Sequence, residues 1–256
     1  MTYDRRMTRG SGNIARLRHA GRGRVQALLG RAGWEIRPTT TDADQRRSRL
    51  LAAEGIDLVL DVGANVGQYG MRLRANGYRG RIVSFEPYET AYAQLQRTAD
   101  RDALWDAHRL ALSDEEGVAE LNISSNSFSS SLLALTDRHV ESAPGSSYVA
   151  TESVRARRLD AIWPEVVGTA RPWLKLDVQG FEMHVLRGAG ERLGEARALQ
   201  IELSLEPLYT GAVGWRDTVD WLEERGFALV AVEPGFDDPA TGRMLQFDGF
   251  FVRTDG

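Results

Sequence analysis

Four carboxylates stand at or near the ends of apolar, strand-like runs: Asp61 in "DLVLDV", Glu86 in "VSFEP", Asp177 in "WLKLDV" and Glu202 in "ALQIELSL". Asp61 leads into a turn, "LDVGANVGQYG", with glycines at Gly63, Gly67 and Gly70. In open α/β sheets a ligand lies just outside the carboxyl ends of the strands, where such a turn sits. A dinucleotide site needs G-x-G-x-x-G, so that bare backbone can approach a pyrophosphate at a helix N-terminus. Here Asn65 replaces the middle glycine, and a carboxylate at Asp61 would repel phosphate. A cation would be attracted instead, and S-adenosylmethionine offers a sulfonium and an ammonium with no phosphate. Glu86, 23 positions after Gly63, can accept hydrogen bonds from both ribose hydroxyls of any bound nucleoside. The plainer reading of the turn is a strand-to-helix junction with Asp61 as helix cap.

The elements that must position these residues alternate. Helical spacing predicts a helix near Asn13 to Ala32 and another over Asp42 to Ala53. Strand "DLVLDV" then leads to a helix at Gln68 to Ala75, and strand "GRIVSFEP" to a helix at Glu89 to Ala99, the βαβ rhythm of a parallel sheet. A third strand fits "DAHRLALS", and "EEGVAELNIS" reads as a hairpin or edge strand. The polar stretch from Ser125 to Ser153 has the length of a functional lid. Strand "PWLKLDV", helix Phe181 to Leu186, strand "ALQIELSL" and helix Trp215 to Glu224 follow. The last two strands, "FALVAVEP" and "MLQFDGFFVR", lack a helix-length spacer and must pair antiparallel.

A chain of 256 residues with 42% hydrophobic content fits one large domain. We read residues 1–50 as a basic helical extension and 51–256 as the catalytic domain. The extension holds twelve arginines against four acids, +8 in a chain of net charge −4. Such an arm could meet an anionic membrane surface, though arginines alternating with apolar residues also describe a solvated amphipathic helix. The absence of cysteine excludes disulfides, thiolate metal sites and cysteine nucleophiles. With no apolar run of membrane-spanning length and no secretory h-region, the expected location is the cytoplasm. The 32 basic residues include a single lysine, Lys175, inside the Asp177 motif.

From Asp57 to Arg253 the chain resembles the FkbM-type S-adenosylmethionine-dependent methyltransferases. The resemblance rests on "LDVGANVGQYG", "VSFEP", "LALSDEEG", "SFSSSLL", "VRARRLD", "LKLDVQGFEMHVLRGA" and "IELSLEPLY", in that order. It implies a Rossmann-like α/β fold of the class I methyltransferases: a seven-stranded, mostly parallel sheet with the last strand antiparallel and helices on both faces. It also implies cofactor contacts at Asp61, Gly63, Ala64, Asn65, Gly67, Tyr69, Glu86 and Pro87, with adenine near Ala111 and Leu112.

Methyl transfer to an alcohol needs positioning, desolvation and removal of the hydroxyl proton. Asp177, His139 and Glu202 are the candidate bases. Asp177 could instead cap the following helix, and His139, in the lid stretch, is placed here by the family pattern. Asp177 with Glu202 offers an oxygen pair for magnesium, although no residue is assigned as a metal ligand. Gln179 stands where the family often has glutamate, and Phe181 where it often has a small residue, which keeps a non-catalytic binding module in view. Glu182 and His184 are expected on a solvated helix face. Ser129 to Ser131 could hydrogen-bond a polyol acceptor or the cofactor. The activity implied is O-methylation of a sugar, glycolipid or polyketide-type hydroxyl. A dinucleotide oxidoreductase is the rival disfavoured by Asn65 and Asp61. A nucleic-acid partner is not expected, because no aromatic stacking motif accompanies the basic arm.

Overall fold

The computed structural model describes residues 41–126 and 129–254. The expected helix at Asn13 to Ala32, and Phe128 of the serine stretch, lie outside the described residues.

Strand β1 (Leu58–Val62) is buried along its whole length and sits inside the sheet, paired in parallel with β2 (Arg81–Phe85) and with β7 (Pro172–Leu176). Beyond β2 lies β3 (Trp105–His108), and beyond β7 lies β8 (Ala198–Ser204), both parallel to their neighbours. The order β3-β2-β1-β7-β8-β10-β9 is completed by β9 (Phe227–Pro234) and β10 (Gln246–Arg253). Strand β10 is antiparallel to both β8 and β9, as the missing helical spacer required.

Successive side chains of a strand face opposite sides, and each side has its own core. Leu58, Leu60 and Val62 join Leu174, Leu176, Leu199 and Ile201 on one face. That face is covered by α5 (Leu159–Val166), α6 (Glu182–Ala189) and α7 (Trp215–Glu223), through residues such as Trp163, Leu186 and Leu222. Val59, Trp173, Ala198 and Phe250 point the other way. They meet Leu51 of α1 (Asp42–Ala53), Leu73 of α2 (Gln68–Ala75) and Leu95 of α3 (Glu89–Ala99). Each such leucine stabilises the fold by about 1.5–3 kcal/mol through burial.

The compact unit begins at Asp42, so the boundary expected at residue 51 falls inside α1. The physical reason is Arg47, which is buried and donates to Gln200 on β8 (3.2 Å), Glu233 on β9 (3.2 Å) and Asp44 (3.0 Å). Helix α1 is thereby tied to the sheet.

"DAHRLALS" is not one strand. It breaks after His108, and β4 (Ala111–Ser113) pairs in parallel with β6 (Tyr148–Arg158), which pairs antiparallel with β5 (Gly117–Ser124). This separate three-stranded sheet buries Ala111, Leu121, Ile123, Val154 and Ala156. The expected lid stretch therefore contains much of β6, with α4 (Asp137–Ser142) before it. No helix among the described residues is long and apolar enough to cross a membrane.

Candidate functional site

At the carboxyl ends of β1, β2 and β7, closed on one side by the small sheet, lies a cleft whose empty space, with its open mouth, is about 660 Å³. Of the residues singled out in the sequence, Gly63, Asn65, Glu86, Pro87, Ala111, Leu112 and Asp177 line it.

Two backbone features shape its floor. Gly63 has φ 73°, and a Cβ there would stand 1.9 Å from the carbonyl oxygen of Asp177, so only glycine lets the β1 and β7 turns meet. Asn65 is left-handed as well, at φ 48°, and its N–H donates to Glu86 Oε2 at 2.8 Å. The Tyr88 N–H donates to Glu86 Oε1 at 2.9 Å. Glu86 is thus pinned by backbone on both oxygens, while burial pushes it up to about 7 against the pull of those two bonds.

Asp61 does not line the cleft. Counting along β1, it falls on the Val59 face, where it is fully buried, and its register partner on β7 is Lys175. Lys175 Nζ lies 3.2 Å from Asp61 Oδ1 and 3.5 Å from Asp177 Oδ2, and donates to the carbonyl oxygen of Gly63 at 3.0 Å. Ser84 donates to Asp61 Oδ2 at 3.3 Å and accepts the Trp105 indole N–H at 3.0 Å. Burial raises Asp61, with Lys175 opposing. Burial works against the Lys175 ammonium, but Asp61 and Asp177 outweigh it and hold that group above its ordinary value. The argument that Asp61 repels phosphate and attracts a sulfonium is corrected accordingly, since a lysine already neutralises it. Ala64, Gly67 and Tyr69 also fall outside the lining; Tyr69 is buried and donates to Gln200 at 2.8 Å.

Asp177 is the one candidate base in the cleft wall, with a side chain 37% exposed. Gln179 accompanies it in the lining, in the left-handed region at φ 57°, a conformation costing about 1–2 kcal/mol in a residue with a Cβ. Its side-chain nitrogen donates to Asp177 Oδ1 (2.7 Å) and Glu202 Oε2 (2.9 Å), and its side-chain oxygen accepts from the Tyr209 hydroxyl. Gln246 donates to the same Glu202 oxygen at 2.7 Å. Desolvation, with the negative charges of Asp177, Glu182 and Asp248, holds Glu202 well above the usual carboxylate range. Glu202 therefore sits behind Gln179 rather than in the lining. The magnesium pair is corrected too: a neutral amide already bridges Asp177 and Glu202, and no group of three or more metal-ligating side chains converges among the described residues.

His139 is not brought to the cleft. It is buried on α4, edge-on to Tyr209 with ring centroids 5.0 Å apart, and burial lowers its pKa. Glu182 is not on a solvated face, and His184 is part-exposed. Glu182 is buried and accepts from the Val178 (3.0 Å) and Gly180 (3.2 Å) N–H groups, and burial pushes it up to about 7. His184 stacks on Phe181 at 4.1 Å and reaches Asp114 at 2.9 Å. Sequence reasoning missed the apolar walls Leu110, Leu121 and Leu132. The alternation of "GVAELNIS" was the available signal for Leu121. Of the serines, Ser130 and Ser131 line the cleft, and Ser131 donates to the backbone oxygen of Gln179 at 2.7 Å.

The family model of the methyltransferase FkbM domain matches residues 61–229. The chain is 27% identical over 207 residues to the 2-O-methyltransferase NoeI of Sinorhizobium fredii, covering 77% of this chain and 83% of that protein. It is 27% identical over 175 residues to the hexuronic acid methyltransferase AglP of Haloferax volcanii, covering 66% and 65%. Among solved structures, magnesium protoporphyrin IX methyltransferase (ChlM) from Synechocystis PCC 6803 with bound SAM aligns over 83% of this chain and 78% of that one, with a TM-score of 0.45 at 13% identity.

Proposed function

Because the chain belongs to the FkbM methyltransferase family, we propose that its cleft binds S-adenosylmethionine and that Asp177 takes the proton from a sugar hydroxyl as that oxygen is methylated. The donor set fits the cofactor. Leu110, Leu112 and Leu121 give apolar walls for a purine, Glu86 gives fixed acceptor oxygens for a ribose diol, and Gly63 lets the β1 and β7 turns meet in the cleft lining. When bound, the cofactor supplies an electrophilic methyl group on sulfur.

The chain supplies position, desolvation and a proton acceptor. Gly63 and Asn65 set the turn at the end of β1, and Glu86, whose oxygens backbone N–H groups already orient, would hold the ribose of the cofactor. Ser130, Ser131 and Leu132 complete the lining, where bound cofactor and acceptor would displace water from the transfer path. Asp177 Oδ2 lies beside the Lys175 ammonium and its Oδ1 is held by Gln179, so the carboxylate is oriented before an acceptor arrives. Carbohydrate acceptors are favoured by the two relatives, whose names specify 2-O-methylation and hexuronic acid.

The observation that carries this reading is that Asp177 alone, of the three candidate bases, lines the cleft. Its test is S-adenosylhomocysteine release from the purified chain with methyl glycosides bearing a free 2-hydroxyl and with methyl glucuronosides. Turnover is expected with one of these classes. The Asp177→Asn variant should bind S-adenosylmethionine normally by calorimetry and lose about 10²–10⁴-fold in rate, the range for general base catalysis. A wild-type rate in that variant would exclude Asp177 as base. Binding without release across both glycoside classes would favour the non-catalytic module.

A further inference from the structure

We propose that Gln179 is a positioning residue for the transfer reaction: its side-chain amide sets the orientation of Asp177 and couples that orientation to Ser131 and Tyr209. The proposal rests on the reading of Asp177 as proton acceptor.

The amide has two N–H groups and one carbonyl, and all three are committed. Its N–H groups go to Asp177 Oδ1 at 2.7 Å and Glu202 Oε2 at 2.9 Å, and its oxygen takes the Tyr209 hydroxyl proton. The reversed orientation would press the amide oxygen against two carboxyl oxygens, so the network admits one arrangement. The backbone of the same residue is anchored independently, because Ser131 donates to its carbonyl oxygen at 2.7 Å. Ser131 is itself fixed: it is 1% exposed and accepts from the Leu133 N–H at 3.0 Å. The next residue, Gly180, is left-handed at φ 92°, and a Cβ there would stand 2.7 Å from Tyr209. Tyr209 is therefore seated directly on the Gln179–Gly180 turn.

These contacts make a lever. The serine segment holds the backbone of Gln179, Tyr209 holds its side chain, and the far end of that side chain holds the base. A left-handed, non-glycine residue whose side-chain amide and backbone oxygen are all held by contacts is where a functional role for strain should be sought. An acid at this position would set three carboxyl groups together. An alanine would leave Asp177 Oδ1 without its donor.

The test uses the full chain as wild type and as the variants Gln179→Ala, Gln179→Glu, Tyr209→Phe, Asp177→Asn and Asp177→Ala. S-adenosylmethionine affinity is read by calorimetry, and S-adenosylhomocysteine release by the methyl glycoside probes across pH. Gln179→Ala should bind the cofactor as wild type does, keep its KM for the glycoside and lose about 10²-fold in kcat, as expected for a mispositioned reacting group. Gln179→Glu should be as slow at neutral pH and recover part of its rate on acidification. Tyr209→Phe should lose about tenfold, and it carries the test if Gln179→Ala fails to fold. Without any acceptor, exchange of the Gln179 side-chain amide protons reads the same contacts, slow in wild type and fast in Asp177→Ala. Wild-type kcat in Gln179→Ala and Tyr209→Phe, with Asp177→Asn inactive, would overturn the role of Gln179 alone. Fast amide exchange in wild type would overturn it too. Full turnover by Asp177→Asn would overturn the reading beneath it.

Discussion

On the β1–β2 side of the cleft, the charged group in the lining is one carboxylate, Glu86, pinned by backbone, with Asn65 and Gln68 near it. On the β7–β8 side Asp177 and Gln179 face the cleft, and a side-chain network behind them runs from Lys175 to Glu202 and Gln246. The first side needs glycines and one acid, and it recognises features common to every nucleoside. The second needs particular side chains in particular rotamers, and it is where the chemistry of one acceptor can be set. Binding and reactivity are therefore separable by mutation along the line between β1 and β7.

The largest effect should come from the point where the two sides touch. Lys175→Met leaves Asp61 buried without its counter-charge, a loss of about 3–5 kcal/mol for a broken buried pair. Urea unfolding should show the gap to wild type widest above neutrality and narrowing in acid. The sign follows from Asp61, whose pKa is raised by burial: stability from its neutral form is present below its unfolded value and lost as pH rises through its folded value. Equal stability at alkaline pH would remove the pair from the account. Gly63→Ala comes next, since its Cβ would collide with the Asp177 carbonyl. Thermal unfolding should report a loss of about 3 kcal/mol, and calorimetry a loss of cofactor binding; a variant that binds normally would show that the turn has slack.

Smaller effects belong to single hydrogen bonds. Burial pushes Glu86 up to about 7, so its carboxylate forms as pH rises through neutrality. S-adenosylmethionine affinity should therefore increase by about tenfold over that interval, and Glu86→Gln should flatten the dependence. A pH-independent wild-type affinity would mean that Glu86 does not meet the ribose. Smallest of all is His139→Phe, which keeps the ring packing on Tyr209 and should leave turnover within about twofold. A large loss there would return His139 to the list of bases.

The same division explains what was legible in the sequence. Helices α1, α2 and α3 and the reversed β10 follow from periodicity and spacing, which are local properties. Gly63, Asn65, Glu86 and Asp177 follow from their places at strand ends. The small sheet was hidden because β6 buries only Val154 and Ala156, and its three arginines, with Glu152 and Ser153, dilute the strand alternation. The Asp61–Lys175 pair was hidden for another reason: a register between parallel strands over a hundred residues apart is not a pattern in either strand. His139 sat in a polar stretch, yet two aromatic rings distant in sequence enclose it.

The ion pair between β1 and β7 also has a meaning for the order in which the chain is made. Lys175 follows Asp61 by 114 positions, roughly 6 to 20 seconds of synthesis at ribosomal rates. Strands β1, β2 and β3 can pair during that interval, but the other edge of β1 has no neighbour until β7 arrives. A nascent chain thus carries an open strand edge and an unneutralised acid at its centre, and the emergence of its single lysine closes both.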